Sequence, residues 1–361
     1  MKRKLMCAGG VPRRDCGIAK TAVSFSVAAI LMAGAAARTV QATEWRAIAG
    51  AESSNLGSQA LAFLPNEFWV YTGDSIRWTF PTHERHTLTF LTSSQTRPAG
   101  FGPTYGVEIG CPGATPDGAG FDGSTCVNSD ILRLGEDTPS TTTPQTYSVT
   151  FPVAGNFKFV CLIHSEMTGV VHVVNSSQTL PYDQGFYDRQ AESQLILLLT
   201  EGSRLKDLGT LGAKSGLPSN VVAVGMGQNM TLTGAGSQAV SLMRFSPATI
   251  DVQVGDTVEF ASLEPSINHT VTFGTEPADP RPASTNVLPT SDGARMAAIA
   301  STGDSVNSGF LTPAPQDRSG LAESPPGVTR FRVTFTSAGT FNYICANHDE
   351  LGMEGTVIVH P

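Results

Sequence analysis

Phe341-Asn342-Tyr343-Ile344-Cys345-Ala346-Asn347-His348-Asp349-Glu350-Leu351-Gly352-Met353 gathers a thiol, an imidazole and a thioether within nine residues, Cys345 to Met353. Soft sulfur donors combined with imidazole nitrogen select copper over hard ions such as magnesium or calcium. A second imidazole has to come from elsewhere in the chain. Asn268-His269-Thr270-Val271-Thr272-Phe273 supplies it, a His opening an alternating β-branched run of the kind that forms a strand. The candidate donor set is therefore His269, Cys345, His348 and Met353.

The same parts occur once more, upstream. Phe157-Lys158-Phe159-Val160-Cys161-Leu162-Ile163-His164-Ser165-Glu166-Met167 parallels the first stretch, and His86-Thr87-Leu88-Thr89-Phe90 parallels His269-Thr270-Val271-Thr272-Phe273. The offsets agree: 269 minus 86 is 183, 345 minus 161 is 184, and 348 minus 164 is 184. Gly73-Asp74 also matches Gly255-Asp256, and Gly57-Ser58-Gln59-Ala60 matches Gly236-Ser237-Gln238-Ala239. A Cys, two His and their flanking turn residues in register twice define a tandem duplication. The first donor set is His86, Cys161, His164 and Met167.

Both halves resemble the blue-copper proteins of the plastocyanin, pseudoazurin and amicyanin family, over nearly all of the chain after the first forty or so residues. The second half has the Cys-x2-His-x4-Met spacing of plastocyanin and pseudoazurin; the first has the Cys-x2-His-x2-Met spacing of amicyanin. The resemblance implies an all-β fold of two cupredoxin-like Greek-key β-sandwiches in tandem, joined by a short helical linker. It implies two type 1 copper ions, one-electron transfer, and the imidazole edges of His164 and His348 as the doors for electrons. Two features depart from the family. The first His and the Cys are 75 residues apart in one half (161 minus 86) and 76 in the other (345 minus 269), so each half carries an insertion, residues 95–144 and 276–326. The residue after the first His is Thr87 or Thr270, where plastocyanin has an Asn that helps to hold the Cys sulfur.

A chain of 361 residues is long enough for two cores. The expected divisions are a signal segment at 1–42, a first domain at 43–178, a linker with a helix at 179–218, and a second domain at 219–361. The signal reading rests on Lys2, Arg3, Lys4, Arg13, Arg14 and Lys20 ahead of the apolar run Thr21 to Ala37, and on the small-residue end Val40-Gln41-Ala42. It places the remainder in the periplasm or outside the cell. An uncleaved membrane anchor is the alternative, and Arg13-Arg14 leaves a twin-arginine route open. Without residues 1–42 the chain keeps 16 of 23 basic and 30 of 31 acidic residues, a net charge of about −14. That charge argues against nucleic acid and anionic lipid and would steer a basic redox protein toward the surface. With Cys7 and Cys16 in the signal and Cys161 and Cys345 assigned to copper, Cys111 and Cys126 remain as a pair, expected as a structural disulfide in an oxidising compartment.

An enzyme is disfavoured by the histidine inventory. Two-domain copper nitrite reductases and laccase-like oxidases join their electron-entry copper to a catalytic one through a His adjoining the Cys. Here the neighbours are Val160 and Leu162, and Ile344 and Ala346. Of seven His, four are assigned, and His83, His172 and His360 read as loop and surface residues. No small-molecule substrate is expected. The other classes weighed are a nitrite reductase-like copper oxidoreductase and a periplasmic copper-capture protein. Ligands split between a strand and a loop suit a held ion better than a released one.

Overall fold

The computed structural model describes residues 41–95, 111, 114–134, 143–210, 217–311 and 327–361. All but the last two residues of the expected signal segment lie outside these, as does part of each insertion.

The first half contains β1 (Glu44–Glu52), β2 (Ser58–Leu64), β3 (Glu67–Tyr71), β4 (Ser75–Phe80), β5 (Thr89–Phe90), β6 (Ala119–Gly120), β7 (Val127–Asn128), β8 (Gln145–Thr150), β9 (Gly155–Val160) and β10 (Thr168–Val174). After the helix α1 (Gln184–Thr210) come β11 (Val221–Thr233), β12 (Gly236–Ser246), β13 (Thr249–Gln253), β14 (Thr257–Leu263), β15 (Thr272–Phe273) and β16 (Leu288–Pro289). The chain ends with β17 (Arg295–Ile299), β18 (Val306–Asn307), β19 (Arg330–Phe335), β20 (Gly339–Ile344) and β21 (Glu354–His360).

Period-two alternation sets the faces. In β4 the residues Ile76, Trp78 and Phe80 are buried and their neighbours half-buried, and in β14 Val258 and Phe260 are buried in the same way. The repeated Gly-Asp pairs turn the chain into these strands. Gly73 and Gly255 sit at φ 94° and 95°, which favours glycine. The following carboxylates accept the main-chain N–H groups of Tyr71 and Gln253 at 2.9 and 2.8 Å.

Each half is a sandwich whose inner faces meet in an aromatic core. Trp78, Phe90, Phe151 and Phe159 fill one; Phe260, Phe273, Phe331 and Tyr343 fill the other. One sheet of each sandwich is its own, in the order β3-β10-β9-β5-β7 or β13-β21-β20-β15-β18. The other is shared. β2 and β12 pair antiparallel, with Leu61 opposite Ala239 and Ala60 opposite Val240, so both halves contribute to one eleven-stranded sheet. Each strand would otherwise be an open edge, and the pairing closes both.

Helix α1 covers that seam. Asp183 caps it, accepting from the Phe186 N–H at 2.8 Å, and its buried stripe includes Ala191, Leu198, Gly202, Leu205 and Gly209. These side chains pack on Ala60, Ala62 and Leu64 of the first half and on Ala223, Val240 and Leu242 of the second. The helix spans both halves, because the seam is the apolar face left uncovered. Gly202 permits the close approach, since a Cβ there would lie 2.8 Å from the Ser58 Cβ. Gly202→Val should therefore destabilise the protein by about 1–3 kcal/mol through overpacking, read as a lower Tm and faster proteolysis within α1. An unchanged melting curve would contradict tight packing of helix on seam.

Candidate metal centres

The two insertions are not mere additions to the sheet. His86 forms an isolated bridge with Leu132 and His269 one with Leu311, so a residue within each insertion holds the first His, and regular pairing starts only at Thr89 and Thr272. The sequence Val127-Asn128-Ser129 in one insertion is matched by Val306-Asn307-Ser308 in the other. Asn128 and Asn307 accept from the Thr89 and Thr272 hydroxyls at 2.9 Å. Ser129 and Ser308 accept from the Leu88 and Val271 N–H groups at 2.8 Å. Cys111 and Cys126 form a disulfide, Cα to Cα 5.4 Å, which anchors the first insertion beside Val160 and Leu162.

Cys161 follows β9 and Met167 leads into β10. The Cys161 N–H donates to the Met167 carbonyl at 2.9 Å, and Cys345 does the same to Met353 at 3.0 Å, so each loop is clamped with its Met beside its Cys. The two extra residues of the second loop are taken up by a 3-10 turn, Asp349–Leu351, which ends at Gly352 with φ 80°.

In the first half the His86 and His164 Nδ1 atoms are 3.1 Å apart and the Cys161 Sγ is 3.6 Å from the His164 Nδ1. In the second, the His269 and His348 Nδ1 atoms are 3.1 Å apart, and the Cys345 Sγ is 3.7 and 3.4 Å from them. Within each set all three donor atoms lie within 4.8 Å of one another. These edges fit a single ion at about 2.0 Å from nitrogen and about 2.3 Å from sulfur, the usual lengths for a borderline-soft divalent metal. The three donors are buried in both sets, and Met167 and Met353 are fully buried.

The surroundings favour thiolate. Burial pushes the Cys161 thiol up, but the adjacent His164 and His86 pull it well below the ordinary range, and His348 and His269 do the same to Cys345. The Thr87 and Thr270 N–H groups point at the sulfurs from 3.3 and 3.4 Å. Their hydroxyls accept from the N–H after each Cys, Leu162 and Ala346, at 2.8 Å. Gly50 and Gly225, at φ 76° and 69°, lie against the far edges of His86 and His269, where a Cβ would fall 2.3 and 2.4 Å from Nε2.

The imidazoles of His164 and His348 do not face solvent. They are 1 and 5 % exposed, so the edges expected as doors for electrons are recessed rather than exposed on their loops. Both look into one cavity of about 370 Å³ between the halves. There the Glu84 carboxylate lies 3.3 Å from the His164 Nε2 through Oε1 and 3.6 Å from the His348 Nε2 through Oε2. Burial alone would raise Glu84, yet the His164, His348 and His86 rings hold it well below the usual carboxylate range. His164 is pushed up to about 9, because burial is outweighed by Cys161 and Glu84.

The remaining histidines stay away from both centres: His83 pairs with Glu52 at 2.7 Å, His172 stacks on Trp69 at 4.2 Å, and His360 pairs with Asp251 at 2.8 Å. Among the described residues no further His, Cys and carboxylate cluster of this kind is present. Sequence reading missed Glu84, Asn128, Asn307, Gly50 and Gly225. The repeated Val-Asn-Ser was a usable signal for the asparagines; no local signal marked Glu84.

Residues 229–360 match the family model described as copper binding proteins, plastocyanin/azurin family. The second half, which this match spans, is cupredoxin-like. Similar solved structures include oxidised plastocyanin from Dryopteris crassirhizoma at 23 % identity, covering 39 % of this chain and 99 % of that one with a TM-score of 0.19. Amicyanin from Paracoccus versutus matches at 17 % identity, 40 and 87 % coverage and TM-score 0.21. A purple cupredoxin from Nitrosopumilus maritimus matches at 19 % identity, 39 and 98 % coverage and TM-score 0.18. No curated protein matches the sequence. The family supports copper as the metal of such a site. The first half is tied to the second by its duplicated donors and their equal spacing in space.

A second buried carboxylate, Glu264, accepts from the Ser241 hydroxyl at 2.5 Å and the Ser266 N–H at 3.1 Å. Burial lifts it from 4.5 to about 7. Because the folded value is the higher one, the fold is unpenalised below the ordinary carboxylate range and loses stability as pH rises through 7. Glu264→Gln should stabilise the protein by up to about 3 kcal/mol at pH 8 and little at pH 5, measured by denaturant melts. An equal change at both values would contradict a neutral Glu264.

Proposed function

We propose that the chain is an exported one-electron carrier holding two type 1 copper ions. His86, Cys161, His164 and Met167 would bind one, and His269, Cys345, His348 and Met353 the other. The observation that carries this is the buried Cys-His-His triangle built twice with the same hydrogen bonds to sulfur. Bound copper supplies a reversible Cu(I)/Cu(II) couple.

The chain supplies the rest. The clamps from Cys161 to Met167 and from Cys345 to Met353 fix sulfur and thioether on one loop. The bridges from His86 to Leu132 and from His269 to Leu311 fix the distant imidazole. Donors held this way would move little between the oxidation states of a bound ion, which would keep rearrangement small. Thr87 and Thr270 lower the electron density on sulfur, and burial of the donors limits the access of water. The loops differ by two residues, so two potentials are expected rather than one.

The family's electron carriers support a role without bound substrate. The partner would be a redox protein, basic enough to meet the acidic surface, and the location periplasmic or secreted. The test is Cys345→Ser. It should remove one of two copper equivalents and part of the visible thiolate-to-copper band while circular dichroism stays unchanged. Loss of both equivalents would contradict two separate centres, and turnover of nitrite or a phenol would replace the carrier reading with an enzyme.

A further inference from the structure

The donor sets are duplicated, but the carboxylate between them is not. Glu84 stands two residues before His86, and the residue two before His269 is Ile267. One acid therefore serves two rings. It is 6 % exposed, and its two oxygens divide between the centres, Oε1 toward His164 and Oε2 toward His348. The groups its oxygens face are the imidazoles themselves. The nearby Arg85 and Arg133 are both turned to Glu350, at 3.8 and 3.1 Å. A buried carboxylate without an opposing donor costs several kcal/mol. Each ring turns Nε2 toward it and Nδ1 toward the Cys of its own centre, 3.6 Å from Cys161 and 3.4 Å from Cys345.

We infer that Glu84 is a positioning residue shared by the two centres, fixing the tautomer and orientation of His164 and His348 and placing one negative charge behind both metals. This rests on the two-copper reading for its redox consequence, though not for its tautomer consequence. A carboxylate behind a ligating His raises the basicity of that ligand and favours the more highly charged ion. Because the charge is common, removing it acts on both centres.

Three measurements test this. In the metal-free or Cu(I) protein, nitrogen-15 imidazole spectra should show slowly exchanging Nε2–H protons on both His164 and His348. Their absence from either ring in the native protein would overturn the shared contact, whether or not copper binds. In the copper-loaded protein, Glu84→Gln keeps the shape and removes the charge. At a fixed ambient potential the Cu(II)/Cu(I) ratio should fall about tenfold at each centre, a rise of about 59 mV for a one-electron couple. Glu84→Asp fills the space less well but keeps the charge, and should move both potentials back toward the native values. A merely packing role would give the reverse order. Glu84→Gln shifting one centre or neither would overturn the inference while leaving two bound coppers, and so the carrier reading, intact. Absence of copper from the native protein would instead strike the carrier reading alone.

Discussion

The structure depends on placing a thiol and two imidazoles in a buried pocket, twice. Cys161 and Cys345 are fully buried, and each is held within 3.7 Å of a ring nitrogen. A thiolate in such a place is tolerable only with positive charge or hydrogen-bond donors around it. Every neighbouring feature serves that need. The Thr87 and Thr270 N–H groups face sulfur, the Asn and Ser residues of the insertions accept from Thr89, Thr272, Leu88 and Val271 on the strands that follow the first His, and glycines of positive φ make room for the ring. The insertions belong to the centre rather than to the periphery.

The way the halves join follows from edge chemistry. β2 and β12 pair with each other, and α1 covers the apolar face so formed. This turns the two donor loops toward a common cavity, where Glu84 meets a ring from each. Ion pairs from Arg85 and Arg133 to Glu350 and hydrogen bonds from Arg244 to Asn55 and Leu351 fasten the same region. A shared sheet and a shared carboxylate make the duplication more than two sandwiches on a string.

Much of this could be read in advance because it was written twice. The donors recur with their spacing, the Gly-Asp turns recur, and strands such as Ser75–Phe80 alternate plainly. What stayed hidden was either long-range or singular. No local pattern announces that Ala60 will face Val240, since the pairing joins residues 180 apart (240 minus 60). Glu84 has no copy, so a search for repeats passes over it. Gly50 and Gly225 matter through a backbone angle and a ring on another strand, neither visible in residue type. The burial of His164 and His348 escaped for the same reason: it comes from the opposite half, not from the loops that carry them.

The most direct measurement is copper quantification with electron paramagnetic resonance on protein loaded with cupric salt and dialysed. Two ions per chain, both giving the narrow copper hyperfine splitting of a thiolate-bound type 1 site, are predicted. A chain that retains no copper, or binds it with the wide splitting of nitrogen and oxygen ligands and no visible charge-transfer band, would contradict the twice-built thiolate centre.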